Sequence, residues 1–178
     1  MRHLYVFLFL FVTGITTQRF VVPTGPKLEL LRRWHDFVTD FLTPDQVSRS
    51  IDLVALDIHQ GKTTEDIIDD IETLLAGRLS TDQTLRVAAV KDGLKSQLGD
   101  TEADGVLLRT RHVVAYAVTP GVEKVRANSS TPDSTYTTML GLFNRDYVTA
   151  VKHLVKMTLT DQEWNALVSS ARPVVELD

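Results

Sequence analysis

Apolar residues recur along most of the chain at the three- and four-residue spacing of amphipathic helices. Such faces run through residues 28–42, 44–58, from 63 or 64 to 75, 81–98, 100–118, 136–143, 145–157 and 161–171. Glycines or prolines follow several of these segments, as is typical of helix ends. The pattern predicts an all-α fold of about seven or eight short amphipathic helices in a compact irregular bundle.

One short phrase recurs at three predicted helix starts. It reads LTPDQ at 42–46, LSTDQ at 79–83 and LTDQE at 159–163. In each copy a Ser or Thr is followed three residues later by Gln or Glu, which is the spacing of a capping box. The phrase therefore predicts helix N-termini capped by Thr43, Ser80 and Thr160.

The segment from Asp100 to Val118 is apolar around much of its circumference, which predicts a central helix. A strand at Val113–Val118 is the alternative, because valine favours strands. Thr119-Pro120-Gly121 is expected to end the helix, and Asn128–Ser134 reads as a polar loop. Gly93, inside the preceding helix, either weakens it or allows close packing.

The N-terminus has the layout of a secretory signal peptide. A short basic start precedes the unbroken apolar run Leu4–Val12, and small residues follow at Gly14–Thr16. The run is too short for a membrane span, which needs about 17–25 apolar residues. We expect residues 1–17 to be the signal peptide and residues 18–178 to form a single helical domain that is secreted and extracellular. A buried N-terminal helix is the alternative.

Composition narrows the function classes. The formal net charge is −4, which argues against nucleic-acid binding. Beyond residues 4–12 there is no second long apolar run, so the sequence does not predict an integral membrane protein. The chain has no cysteine, and no metalloprotease, nucleophile-elbow or phosphate-loop motif is present. We therefore expect no enzyme activity, no cofactor and no metal site. Asn128-Ser129-Ser130 is an N-glycosylation sequon.

Two charged groups have both a structural and a functional interpretation. The acids at 65–72 could hold a cation, but they are better explained as first-turn acids and a solvated helix face, since an EF-hand spacing is absent. Arg109, Arg111 and His112 lie in the most apolar helix. They either pair with acids, or one of them holds the carboxylate of an apolar ligand.

The repeating unit of capping box, amphipathic helix, glycine break and second helix reads LTPDQVSRSIDLVALDIHQGKTTEDIIDDIETLLAGRLSTDQ. It resembles the helix-rich lipid-binding proteins secreted by nematodes, namely the polyprotein allergen units and the fatty-acid and retinol-binding proteins. The final LTDQEWNALVSSARP is similar to the closing helix of the latter group. The unit is also similar to the SXP/RAL-2 secreted nematode proteins.

The first resemblance implies a secreted carrier that binds fatty acids, retinoids or similar small hydrophobic ligands in an apolar cavity between helices. The second implies a secreted non-enzymatic interaction protein, with suggested cation binding, that acts on a host or partner protein. The same apolar faces also describe an ordinary core. For a carrier, the candidate ligand-binding residues are Ile71, Leu75, Val106, Arg109, Val113, Tyr116, Tyr147 and Val151.

Overall fold

The computed structural model describes residues 12–13, 24–37, 39–142 and 144–174. This part of the chain is all-α and contains eight helices, which confirms the predicted fold class. The helices are α1 (Pro26–Phe37), α2 (Pro44–His59), α3 (Thr64–Ala76), α4 (Thr81–Leu98), α5 (Asp100–Asn128), α6 (Pro132–Leu142), α7 (Arg145–Thr158) and α8 (Asp161–Ala171). Two-residue strands β1 (Val12–Thr13) and β2 (Thr39–Asp40) pair in parallel. Apart from β1, the predicted signal peptide lies outside the described residues.

All three predicted capping boxes are confirmed. Thr43, Ser80 and Thr160 each accept a hydrogen bond from the backbone N–H three residues later, and the side chain at that later position accepts one in return. Thr63 and Asp66 form a fourth box at the start of α3. The recurring phrase therefore marks helix starts by satisfying backbone donors that the first turn leaves free.

The expected end of the central helix at Thr119-Pro120-Gly121 is wrong. Helix α5 continues through Pro120 to Asn128. Val118, Val122 and Val125 keep the same helical face buried or half-buried beyond the proline, whereas Pro120 itself is exposed. Burial of that face outweighs the single backbone hydrogen bond that proline removes.

The predicted loop at Asn128–Ser134 is also wrong in its extent, because α6 already begins at Pro132. The Thr131 hydroxyl accepts from the Ser134 N–H at 3.2 Å, and the Thr131 N–H donates to the Ser134 hydroxyl at 2.9 Å. Thr131-Pro132-Asp133 repeats the Thr-Pro-Asp sequence that opens α2. The signal for this helix start was therefore present in the sequence.

Helix α5 is the centre of the bundle and packs against α2, α3, α4, α6 and α7. The last helix, α8, packs mainly against α4. Gly93 permits this approach, since a Cβ atom there would lie 3.0 Å from the Ser170 hydroxyl oxygen. Of the two alternatives for Gly93, close packing is confirmed. Within the described ranges, no helix is both long and apolar enough to cross a membrane.

Candidate ligand-binding cavity

A cavity of about 150 Å³ lies between the N-terminal helices and the second half of α5, and it is partly open to solvent. Its walls come from six helices. The lining residues are Leu30 of α1; Ile51, Val54 and Ile58 of α2; Thr64, Ile67, Ile68 and Ile71 of α3; Val114, Val118, Gly121, Val122 and Val125 of α5; Met139 and Leu142 of α6; and Tyr147 of α7.

The lining is almost entirely hydrocarbon. Among its described residues, the only side-chain polar groups are the hydroxyls of Thr64 and Tyr147. The Thr64 hydroxyl lies 2.9 Å from that of Thr119, and the Tyr147 hydroxyl donates to the Ala117 carbonyl at 3.3 Å. Burial raises the pKa of Tyr147, so its phenol stays neutral at physiological pH. The cavity thus offers apolar surface and two neutral hydroxyls.

The sequence concentrates one residue type around this cavity. Five of the six isoleucines in the chain line it, and the sixth, Ile15, lies outside the described residues. Three of the five come from α3, where positions 67, 68 and 71 share one helix face. Isoleucine is branched at Cβ and restricted at χ1, so these side chains have few alternative rotamers.

The structure places two of the eight predicted ligand-binding residues, Ile71 and Tyr147, in the lining. The other six lie elsewhere. Leu75, Val106 and Val151 are buried in the core without lining the cavity, Val113 is half-buried, and Tyr116 and Arg109 are exposed.

On α5 the residues predicted to bind the ligand and the residues that line the cavity lie on neighbouring faces of the helix. Val114 and Val118 line the cavity, whereas Val113 and Tyr116 do not. One residue rotates a helix by about 100°, so choosing 113 in place of 114 selects a different side of α5. Tyr116 consequently points outward, with 79% of its surface exposed.

Arg109 takes part in surface ion pairs. Its guanidinium donates to Glu102 at 2.8 Å and to Glu163, the return partner of the α8 capping box. Burial alone would raise the pKa of Glu163, but hydrogen bonds at the Thr160 cap and the Arg109 charge lower it on balance. Arg109 therefore links α5 to the start of α8, and the structure does not bring it to the cavity.

Arg111 is buried against the acidic face of α3. Its guanidinium donates to Glu65 and Asp69 at 2.7 Å each, and its Nε lies 3.9 Å from buried Glu72. Glu65, Asp69 and Glu72 are spaced four and then three residues apart, so they lie on one side of α3, the side that faces α5. Among the described residues, no group of three or more His, Asp or Glu side chains is positioned to hold a metal ion.

The remaining acids of this segment serve other partners. Asp66 completes the Thr63 cap, and that hydrogen bond lowers its pKa. Asp70 pairs with Lys62 at 2.5 Å, and Lys62 also contacts the fully buried Asp57 at 2.7 Å. Burial raises the pKa of Asp57, although Lys62 opposes that shift. The acidic segment is therefore explained by caps and ion pairs.

Comparison with known proteins identifies the family. Residues 5–170 match the model of a family described as "Uncharacterized protein B0228.1-like". A similar relative is "Uncharacterized protein B0228.1" of Caenorhabditis elegans, which is 29% identical over 160 residues, covering 89% of this chain and 71% of the relative. The chain belongs to the B0228.1-like family. No solved structure matches it.

The match covers all eight helices almost completely, so the cavity falls within the region that defines the B0228.1-like family. The family description names no ligand or activity. The resemblance to secreted lipid carriers therefore remains a prediction, as does the alternative resemblance to SXP/RAL-2-like proteins.

The sequon of this B0228.1-like chain lies at a helix end. Asn128 is the last residue of α5, it is exposed, and its side-chain amide donates to the Lys124 carbonyl at 2.7 Å. Glycosylation of Asn128 stays a prediction, and a glycan there would project from the surface.

Proposed function

We propose that the protein is a secreted carrier that binds a small hydrophobic ligand in the cavity between α2, α3, α5 and α6. One observation carries the proposal, namely a cavity whose described lining is apolar apart from two hydroxyls. Ligand pockets are typically concave, mostly apolar, and fitted with a few polar groups. An apolar ligand that fills such a cavity gains contacts that the empty cavity lacks.

The cavity volume constrains the ligand. Cavities of about 150 Å³ accept molecules the size of benzene or xenon, whereas pockets for drug-sized ligands hold about 300–1,000 Å³. A whole fatty acid or retinoid exceeds the enclosed space. The ligand is therefore a small apolar molecule, or a longer one that inserts only its tail through the open side.

The isoleucines supply the direct test. In protein labelled at Ile and Leu methyl groups, we expect hexanol to shift the NMR signals of Ile51, Ile58, Ile67, Ile68 and Ile71. Leu94 and Leu167 are fully buried outside the lining and serve as internal controls. Unchanged isoleucine signals at saturating hexanol would contradict the carrier proposal.

A matched pair of variants separates cavity filling from general damage. Val118→Phe places a ring into the lining, while Val113→Phe makes the same change on the same helix at a half-buried position outside the lining. We expect Val118→Phe to abolish the hexanol response and Val113→Phe to keep it. Both variants are checked for cooperative thermal unfolding, since overpacking costs about 1–3 kcal/mol.

Secretion is the second part of the proposal and rests on the apolar run at 4–12 and the small residues that follow. Expression of the full chain in a eukaryotic secretion host should release protein into the medium with its N-terminus near residue 18. Intact mass spectrometry reads the cleavage point and, in the same spectrum, any glycan on Asn128. Retention in the cell with residues 1–17 still attached would refute secretion without touching the ligand proposal.

A further inference from the structure

We infer that the cavity selects an uncharged ligand, such as an alcohol, ester or hydrocarbon, and discriminates against an anionic one such as a carboxylate. The inference rests on the proposed function and narrows its ligand class. It divides the ligands expected from sequence, because retinol is neutral whereas a fatty acid is ionised at neutral pH.

The described lining offers a carboxylate no charged partner. Among the residues that the structure describes, no charged side chain lines the cavity, and the two side-chain polar groups of the lining are neutral hydroxyls. The Tyr147 hydroxyl already donates to the Ala117 carbonyl, so toward a ligand it can act as an acceptor. An acceptor suits the O–H of an alcohol and repels a carboxylate oxygen. Burying an ion without a partner is far costlier than burying a neutral hydroxyl.

Three cations close to described lining residues, Arg111, Lys62 and Arg126, are already engaged. Arg111, one turn from Val114, donates to Glu65 and Asp69. Lys62 is held between Asp57 and Asp70.

Arg126, next to the lining residue Val125, is the third of these cations. It pairs with Glu123 at 2.5 Å, and it donates to the carbonyls of Lys62 and Ile58 at 2.5 and 3.4 Å. Its guanidinium is thus committed to a carboxylate and to the backbone of the turn after α2.

The charge balance around these three cations is negative. Asp57 and Asp70 surround Lys62, three acids of α3 surround Arg111, and Glu123 lies beside Arg126. These three cations therefore already have carboxylate partners within the protein. An anion inside the cavity would meet an uncharged lining, and the nearby cations are paired with acids of the protein.

Three ligands with one six-carbon chain test the inference. Hexanol, methyl hexanoate and hexanoate are titrated at about pH 8, where a carboxylate is ionised. Binding is read from the five cavity isoleucine methyls. We expect hexanol and methyl hexanoate to bind at least about tenfold more tightly than hexanoate, because only the latter carries a charge that must be desolvated on entering the uncharged lining.

The outcomes are distinguishable. Hexanoate binding within about threefold of hexanol would overturn the inference while leaving the carrier proposal intact. A response to none of the three ligands would overturn both. A response to hexanoate alone would show that an anion site exists and would likewise reject the inference.

Discussion

At the scale of single residues, the clearest feature is the pair formed by Gln46 and Gln83. Each side-chain amide donates to the other's carbonyl oxygen, at 3.0 and 2.9 Å, and both side chains are buried. Gln46 also donates to the Arg78 carbonyl, and Gln83 donates to the Phe41 carbonyl. Each oxygen in addition accepts from the N–H of its own cap residue. Two capping boxes are thereby joined into one fully bonded unit.

Removing one amide should leave several buried groups without partners. We expect Gln83→Ala to lower the free energy of unfolding by about 2 kcal/mol or more, since each unsatisfied buried group costs about 1–3 kcal/mol. Gln46→Ala should behave similarly. The double variant should cost less than the sum, because the shared hydrogen bonds are lost only once.

Urea denaturation measures these differences. Gln162→Ala, at an exposed position of α8, is the matched control and should stay within about 0.5 kcal/mol of the wild type. Strict additivity of the Gln46 and Gln83 substitutions would show that the two amides do not support each other.

At the scale of helices, α6 is held in place by polar contacts at its N-terminal half and contributes Met139 and Leu142 to the cavity. The Tyr136 hydroxyl donates to Asp52 of α2 at 2.9 Å, and Lys27 of α1 contacts the same carboxylate at 2.7 Å. Burial, together with the Asp52 carboxylate, raises the pKa of Tyr136 to about 12. The anchor of this cavity wall therefore depends on a neutral phenol.

This shift predicts a loss of stability in alkali. The phenol ionises near pH 10 in the unfolded chain and near pH 12 in the folded chain. Between these values the unfolded state releases a proton that the folded state keeps, so the free energy of unfolding falls as pH rises. Below pH 10 this group adds no pH dependence.

Stability measured against pH should therefore fall less steeply between pH 10 and 12 in Tyr136→Phe than in the wild type. Tyr116→Phe, which removes an exposed phenol, controls for the loss of a hydroxyl as such. Equal slopes for Tyr136→Phe and the wild type would contradict the anchoring role of the Tyr136 phenol.

Helix boundaries differ in how far the sequence determines them. Helix starts were predictable wherever a Ser or Thr is followed three residues later by Gln or Glu, because a capping box depends only on residues close in sequence. The far end of α5 was not, because Pro120 argues for a stop and only the tertiary burial of Val122 and Val125 overrides it. The start of α6 shows the converse: Thr131-Pro132 was a local signal inside a stretch whose polar composition suggested a loop.

At the scale of the whole molecule, the all-α class was predictable because most helices carry a periodic apolar face. The position of the cavity was not, because it depends on how helix faces meet across the bundle. Ile71 and Val114, for example, come together from α3 and α5, and neither residue's periodicity separates a cavity wall from an ordinary core. The neutral character of the lining became evident only once Arg109 and Arg111 were found paired with acids.

The contact between Gly93 and Ser170 ties order of synthesis to completion of the fold. Helix α4 leaves the ribosome long before α8, its main partner, is made, and domains form progressively from the N-terminus during translation. Until α8 is made, the flank of α4 that α8 covers stays uncovered, although Gln83 at the start of α4 can already bond to Gln46. A premature stop before α8 would thus keep the Gln46–Gln83 pair, while α4, which carries Gln83, would be exposed on the side that α8 covers. Quality-control factors that recognise uncovered apolar surface would then meet a chain that already contains seven of the eight described helices.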